Sequence, residues 1–509
     1  EGIPSLILME NAGKNTFVVI TSLYPDIADR TIVIVCGKGN NAGDGFVIAR
    51  HFLINGIPVD IYNLSKPGEF KGDALVNFEI LAKLGSGICG MHKITENDPD
   101  ILYTSLKKLK GKALIIDAML GSGTKGSVTG IFEKVIEQIN TLKRKNINID
   151  VISVDVPSGI GEGHTTGAVV DACHTVTMGA VKTELLYGAG KENTGSLYVV
   201  PIGITNDCFE RVNIYNKFLV EDSDVRSLFP KRKKTSYKYS NGKSLVIGGS
   251  KGLSGAVIMS SLAALKVGSG AVLAAYPRSI TAHFSRKLNE VIKTELDETP
   301  DGSIAGDSYT KILKQLSKAD AVLIGPGLSL NKDTANFLFD VIINSPRPLV
   351  IDADALTLLA GNIEVLKQRK NESEIILTPH VGEFSRLTGK TTDEINTNRF
   401  EIVREFAKEY NLNVVLKSET SLSCTSDGNI YINNTGNELL GSAGSGDVLS
   451  GIIVSLLAQS GNVNTAMICG NYVHGMLADI YYDKYGNKQS ASQQDLIKLI
   501  PTAITEILG

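Results

Sequence analysis

Short continuous apolar runs recur along the chain, and most are followed by a glycine-rich loop and then by helical spacing. In the first half these runs are Thr31–Cys36, Val59–Leu64, Ala113–Ile116, Val151–Val154, Thr175–Met178 and Leu197–Val200. They do not alternate apolar with polar, so each is expected to be covered on both faces, as in a mostly parallel sheet flanked by helices. Helical spacing lies between them, for example over Phe46–Leu53 and Ile131–Lys145. The alternation restarts at Ser244–Ile247, with a small-residue helix over Ala256–Val267. It continues through Ala271–Ala275, Ala321–Ile324, Leu349–Ile351, Ile375–Leu377 and Val414–Leu416. Ser421–Thr425 and Asn429–Ile432, separated by Ser426-Asp427-Gly428, predict a hairpin. A helix pair from Val448 to about Tyr485 closes this half. The fold class expected is α/β in both halves.

Between the halves, Glu221–Asp224 gives way to Pro230-Lys231-Arg232-Lys233-Lys234 and then to Ser-, Tyr- and Asn-rich sequence as far as Gly242. Proline with a cationic run and no apolar periodicity predicts an exposed connector. Nuclear import or anion binding is the alternative for the run. The division expected is a domain over 1–223, a linker over 224–242 and a domain over 243–509.

Composition narrows the partners. At 509 residues the chain exceeds a single core. A net charge of −3 gives no global basic field for nucleic acid, and 6% aromatic residues without Trp weaken any base-stacking surface. The six cysteines, Cys36, Cys89, Cys173, Cys208, Cys424 and Cys469, show no C-x-x-C pair, which fits a reducing, cytoplasmic setting. No apolar run is long enough for a membrane span, and no secretory signal is expected. Glu1 rather than Met stands first, so trimmed or missing amino-terminal residues remain open. A homo-oligomer is expected, its order open.

The most informative chemistry is Thr378-Pro379-His380-Val381-Gly382-Glu383 followed by Gly444-Ser445-Gly446-Asp447. A glycine turn opening a helix aims backbone N–H groups at one spot, which suits phosphate. A carboxylate there can accept a proton from a substrate hydroxyl. A tight turn alone is the plainer reading. The apolar run Val448, Leu449, Ile452, Ile453, Leu456, Leu457 behind Asp447 favours a helix start. In the first half, Gly39–Gly45, Asp117–Gly126 and Asp155–Gly159 stand at the carboxyl ends of predicted strands, where open α/β sheets bind ligands. Helix capping is the alternative for Asp155. Oxygens on Asn41, Asp117 and Ser158 could also hold a hard monovalent cation.

Together the first-half loops resemble the NAD(P)H-hydrate epimerase domain, and the second half resembles ADP/ATP-dependent NAD(P)H-hydrate dehydratase. The fused order is similar to the bacterial bifunctional NAD(P)H-hydrate repair family. The motifs that carry the resemblance are Asn40-Asn41-Ala42-Gly43-Asp44-Gly45, Asp155-Val156-Pro157-Ser158-Gly159, Gly325-Pro326-Gly327-Leu328, Asp352-Ala353-Asp354-Ala355-Leu356, Thr378–Glu383 and Gly444–Asp447. The resemblance implies a Rossmann-like doubly wound domain followed by a ribokinase-like one.

For the first domain it implies hydrate binding by Asn40, Asn41, Ala42, Gly43, Asp44, Gly121, Ser122, Gly123, Thr124, Lys125, Gly126, Ser127 and Asp155. Asp155 would be catalytic, and Asn41, Asp117 and Ser158 would hold potassium. Lys182 is the nearest candidate for a cationic assistant, an ordinary surface lysine being the alternative. For the second domain it implies Asp447 as base, with Ala256, Gly327, His380 and Asp447 on the hydrate. His380 as a turn cap is the plainer alternative. Lys417, Ser418, Glu419, Thr420, Ser421 and Gly446 would hold ADP or ATP, with magnesium accompanying it. The family usually has Lys-Gly-x-x-Thr where this chain has Lys417-Ser418-Glu419-Thr420-Ser421, so a negative side chain stands near the expected phosphate. A ribokinase-like small-molecule kinase fused to a nucleotide-binding domain is the competing reading; in a third, the first domain is a non-catalytic sensor.

Overall fold

In a computed structural model that describes residues 2–84, 89–145, 148–161, 167–211 and 216–509, the chain divides into two compact units, Glu1–Asn213 and Ile214–Gly509.

The first unit holds seven strands: β1 (Thr31–Cys36), β2 (Val59–Asn63), β3 (Cys89–Lys93), β4 (Ala113–Ala118), β5 (Ile149–Val154), β6 (His174–Met178) and β7 (Ser196–Val200). They lie in the order β3-β2-β1-β4-β5-β6-β7, all parallel. Successive side chains of β1 enter opposite cores. Ile32, Ile34 and Cys36 pack with the helix Asn40–Ile54, while Val33 and Val35 pack with the helix Ile131–Lys145. That two-sided burial is why the runs are continuous. The strand order reverses between β1 and β4, which opens a crevice at their carboxyl ends.

The second unit adds β8 (Lys217–Val220), β9 (Lys243–Ile247), β10 (Ala271–Pro277), β11 (Ile292–Leu296), β12 (Ala321–Ile324), β13 (Leu349–Ile351), β14 (Ile375–Leu377), β15 (Asn413–Leu416), β16 (Leu422–Cys424) and β17 (Ile430–Asn433). The order is β11-β10-β9-β12-β13-β14-β15-β16-β17-β8. Pairing is parallel except where the expected hairpin makes β16 antiparallel to both β15 and β17. One face packs on the helices Ser445–Ser460, Val463–Tyr485 and Gln493–Leu508, through Val246, Leu323, Val350 and Ile376 among others.

Three expectations need correction. The connector does not begin at 224. Strand β8 pairs with β17, and the helix Asp222–Leu228 buries Val225 and Phe229 in the second core. Lys231–Thr235, Tyr237 and Ser240 are exposed as expected. The stretch Asn40–Gly45 is not a loop but the opening of the helix Asn40–Ile54. Its small residues serve packing: a Cβ on Gly43 would fall 2.6 Å from Met9 Sδ, and one on Gly45 would fall 2.8 Å from Ala118 Cβ. Asp117 lies within β4, one residue before its end, rather than opening a loop. Among the described residues no helix is long and apolar enough to cross a membrane.

Candidate active sites

In the first unit, Asp155 follows β5 with φ 67°, a conformation that costs a non-glycine residue energy and here turns the carboxylate toward the loop after β4. Asp155 Oδ2 accepts from Ser122 N at 3.3 Å, and Thr177 Oγ1 stands 3.4 Å from Oδ1. Lys182, brought back beyond the end of β6, places Nζ 2.7 Å from Asp155 Oδ1 and donates to the Met178 carbonyl at 2.7 Å. Asp44 is buried in the helix Asn40–Ile54. Burial, then the Asp155 charge, hold its carboxyl well above the usual range, against an opposing pull from Lys182. The site thus pairs a carboxylate held by an ammonium with a buried carboxyl pushed toward its protonated form.

Beside it, Asp117 is fully buried and accepts from Ser158 Oγ at 2.5 Å, Ser158 N at 2.8 Å, Ser153 Oγ at 2.9 Å and Met119 N at 3.2 Å. Burial pushes its pKa up although these donors pull it down. Asn41 Nδ2 donates to the Leu120 carbonyl at 2.9 Å, and Leu120 N donates to Ser158 Oγ at 2.9 Å. Asn41 Oδ1 is buried without a hydrogen-bond partner. Asn41, with its unsatisfied amide oxygen, is thus linked through Leu120 to the Ser158 hydroxyl and the Asp117 carboxylate, and that donor set fits potassium. Gly121 closes over it: a Cβ there would lie 3.4 Å from Asn41 Cβ and 3.6 Å from Asp155 Oδ2. Ser122 and Thr124 are half-buried, and Gly123, Lys125, Gly126 and Ser127 are exposed. Asn40 is exposed at the helix start, while Ala42 and Gly43 are buried.

In the second unit, Gly444 (φ 88°) opens the helix Ser445–Ser460, with Asp447 in its first turn. Burial pushes the Asp447 carboxyl up to about 7, with Asp352 and then Asp354 adding to it and Lys417 opposing. Asp352 follows β13 and Lys417 follows β15; Lys417 Nζ lies 3.0 Å from Asp352 Oδ1 and 3.8 Å from Glu383 Oε2. A Cβ on Gly446 would lie 3.1 Å from that ammonium. Burial opposes the charge on Lys417, but Asp352 and Glu383 hold its pKa above the ordinary value. Ser445 Oγ contacts His474 Nε2 at 3.1 Å. Burial lowers His474 to about 4, so its imidazole is neutral near pH 7.

His380 Nδ1 accepts from Gly382 N at 3.0 Å and Glu383 N at 3.3 Å, while Glu383 Oε2 accepts from His380 N at 2.8 Å. It is a reciprocal cap on the helix Val381–Thr388, with its ring still exposed. Ala256 and Gly327 lie together: a Cβ on Gly327 would fall 3.3 Å from Ala256 Cβ. Sequence reasoning gave no role to Asp352, Asp354 or His474. An apolar strand ending in Asp352-Ala353-Asp354 was the available signal for the first two.

Magnesium fits less well than potassium. No group of three or more His, Cys, Asp or Glu side chains able to hold a metal occurs among the described residues. The Lys417 ammonium itself lies between Asp352 and Glu383.

Residues 244–502 match the family profile described as NAD(P)H-hydrate dehydratase, and residues 5–184 match that described as YjeF-related protein N-terminus. The bifunctional NAD(P)H-hydrate repair enzyme of Moorella thermoacetica is 36% identical over 99% of this chain and 93% of its own length. That of Thermofilum pendens is 34% identical over 99% of this chain and 92% of its own. A ribokinase-like superfamily protein of known structure from Enterococcus faecalis, 22% identical, covers 57% of this chain and 96% of its own with a TM-score of 0.50, a likeness of fold.

Proposed function

Because the chain belongs to the family of bifunctional NAD(P)H-hydrate repair enzymes, we propose that Asp155 and Asp447 are the residues on which its two activities turn. The chain is a two-activity enzyme: it interconverts the R and S hydrates of NADH and NADPH at C6, and it dehydrates the S hydrate in a nucleotide-dependent reaction. The observation that carries the assignment is Asp447, buried in the first turn of a glycine-opened helix with its carboxyl near 7, over the Lys417–Asp352 pair.

In the first unit, the ring-nitrogen lone pair of the hydrate drives departure of the C6 hydroxyl. Asp44, its carboxyl pushed well up by burial and then by the Asp155 charge, is the proton donor to the leaving oxygen. Water returns to either face of C6, and Asp155, held by Lys182, takes the proton released; its passage back to Asp44 through water resets the pair. Asn41, Asp117 and Ser158 would hold potassium, which supplies a positive charge beside the anionic diphosphate of the substrate.

In the second unit, Asp447 accepts the proton of the C6 hydroxyl as that oxygen attacks the terminal phosphorus of ADP or ATP. Backbone N–H groups at Gly444–Gly446 and the Lys417 ammonium offset the charge on the transferring group. The C6–O bond then breaks with phosphate as the leaving group, the ring nitrogen supplies the electron pair, and loss of a C5 proton to water from the resulting iminium restores the C5–C6 double bond. Lys417–Ser421 holds the nucleotide, whose divalent ion arrives with it. The carboxylates here do not fit a resident one.

Incubating the full-length protein with mixed hydrate epimers and either nucleotide tests the scheme. Phosphate release should match regained dihydronicotinamide absorbance, with the R epimer drained after the S. A stable phosphorylated product with no regained absorbance would overturn it.

A further inference from the structure

Among the charges of the second unit, one guanidinium is buried outside the catalytic cluster yet reaches the loop that carries Lys417. Arg399 lies in the helix Thr392–Glu409, directly after the break at Asn398 (φ −122°, ψ 33°). Its side chain is only 6% exposed. Arg399 Nη1 donates to Ser418 Oγ at 3.2 Å, and Nη2 donates to Glu419 Oε1 at 3.2 Å and to Asn396 Oδ1 at 3.3 Å. The loop is further tied by Ser418 Oγ donating to the Thr420 carbonyl at 2.7 Å and by Lys417 N donating to the Pro379 carbonyl at 2.8 Å.

A buried guanidinium is costly unless its donors are used, and a planar fork loses little freedom when it bridges fixed acceptors. Here the acceptors are two successive residues of a loop between β15 and β16 and one residue of the helix that bears the arginine. The arrangement therefore couples the loop to a rigid element. It also answers a problem of charge. Glu419, 42% exposed, stands in a loop that receives a polyphosphate, where an uncompensated carboxylate would repel it.

We propose that Arg399 is the positioning residue of the nucleotide loop. It ties Ser418 and Glu419 to the helix Thr392–Glu409, offsets the Glu419 charge against the incoming phosphates, and so holds Lys417 under the Gly446 turn. The proposal rests on the reading that Lys417–Ser421 holds the nucleotide.

The test uses full-length protein and the nucleotide-dependent dehydration. Arg399→Gln should raise the KM for ADP and ATP about tenfold or more, as for loss of charge-assisted hydrogen bonds, with a smaller fall in kcat as Lys417 loosens. Arg399→Lys should recover part of the loss. The distinguishing variant is the double Arg399→Gln with Glu419→Gln, which should bind nucleotide more tightly than Arg399→Gln alone because one negative charge beside the incoming phosphates is removed. A purely structural role for Arg399 predicts no such recovery. An unchanged KM in Arg399→Gln, or a double variant no better than the single, overturns the proposal.

If Arg399→Gln fails to fold, Ser418→Ala keeps the test alive. It should raise nucleotide KM about threefold by removing one of the neutral acceptors, and no change would count against the proposal. Amide hydrogen exchange separates the two levels of the argument. Absence of nucleotide protection over 417–421 in the native protein sinks the loop reading itself. Protection that persists unaltered in the Arg399 variants sinks only the role of Arg399.

Discussion

Lys182 sets its ammonium 2.7 Å from the Asp155 carboxylate, and the same ammonium is anchored to the Met178 carbonyl. The pair therefore cannot drift apart without breaking a second bond. Asp155→Asn should stop conversion of the R hydrate while leaving nucleotide-dependent loss of the S hydrate intact. A general base typically contributes about 10²–10⁴-fold. Lys182→Met should slow the same step by a smaller factor. Chiral separation of the hydrates over time measures both, and undiminished exchange in Asp155→Asn would remove Asp155 from the mechanism.

Asp447 acts as a base only when ionised, and its carboxyl lies near 7. The dehydration rate should therefore rise with pH through about 7 and level off above. Below that point it should fall about tenfold per pH unit, as the ionised fraction does. Asp447→Asn should abolish dehydration at every pH and leave epimerisation unchanged. A rate flat from pH 5 to 8 in the native protein would mean that some other group takes the proton.

Asn41 Oδ1 is a buried acceptor with no donor. Potassium should tighten hydrate binding by the full-length protein without nucleotide, sodium less so, and tetramethylammonium not at all. Calorimetric titration at equal ionic strength keeps general screening from imitating the effect. Equal affinities in the three salts would leave these oxygens as hydrogen-bonding groups only.

Gly451 sits where the helix Ser445–Ser460 crosses the helix Ser254–Val267; a Cβ there would fall 2.3 Å from the Ser260 carbonyl oxygen. Gly451→Ala should force the helices apart and cost about 1–3 kcal/mol. Because Asp447 and Ala256 ride on these two helices, dehydration should weaken with stability. Denaturant unfolding together with the dehydration rate checks it, and a variant as stable as the native chain would contradict the contact.

Val225 and Phe229 belong to the second core. A fragment beginning at residue 243 should therefore be less stable than one beginning at 216, and Phe229→Ala should cost about 3–5 kcal/mol. Equal melting temperatures for the two fragments would restore the connector reading.

The central strands were legible because β1, β4, β9 and β12 are buried on both faces and so read as unbroken apolar runs. The edges were not. In β11, Ile292, Lys293 and Glu295 are exposed, and β3 carries Gly90 between half-buried Cys89 and exposed Met91, so neither shows a period. The helix Gln493–Leu508 contains Pro501, which masks its pattern. At 222–229 only Val225, in a helix of seven residues that is otherwise exposed, and Phe229 just after it enter the core, too few to show a period beside the Lys231–Lys234 run. Asp155 and Asp447 were legible as carboxylates beside glycine turns. The cluster of Asp352, Glu383 and Lys417 was not, because it forms only when the ends of β13, β14 and β15 are laid side by side.

The pairing of β8 with β17 joins Lys217 to Ile430 across more than two hundred residues of chain. On a ribosome adding about 5–20 residues per second, β8 waits roughly 10–40 s for its partner. In that interval the first unit is already whole, while the strand that follows it has no ladder to join. The first unit can therefore mature during synthesis, whereas the edge of the second is settled only once the hairpin has emerged. Slowed translation between these points should lengthen the time for which β8 is open to pairing with another chain.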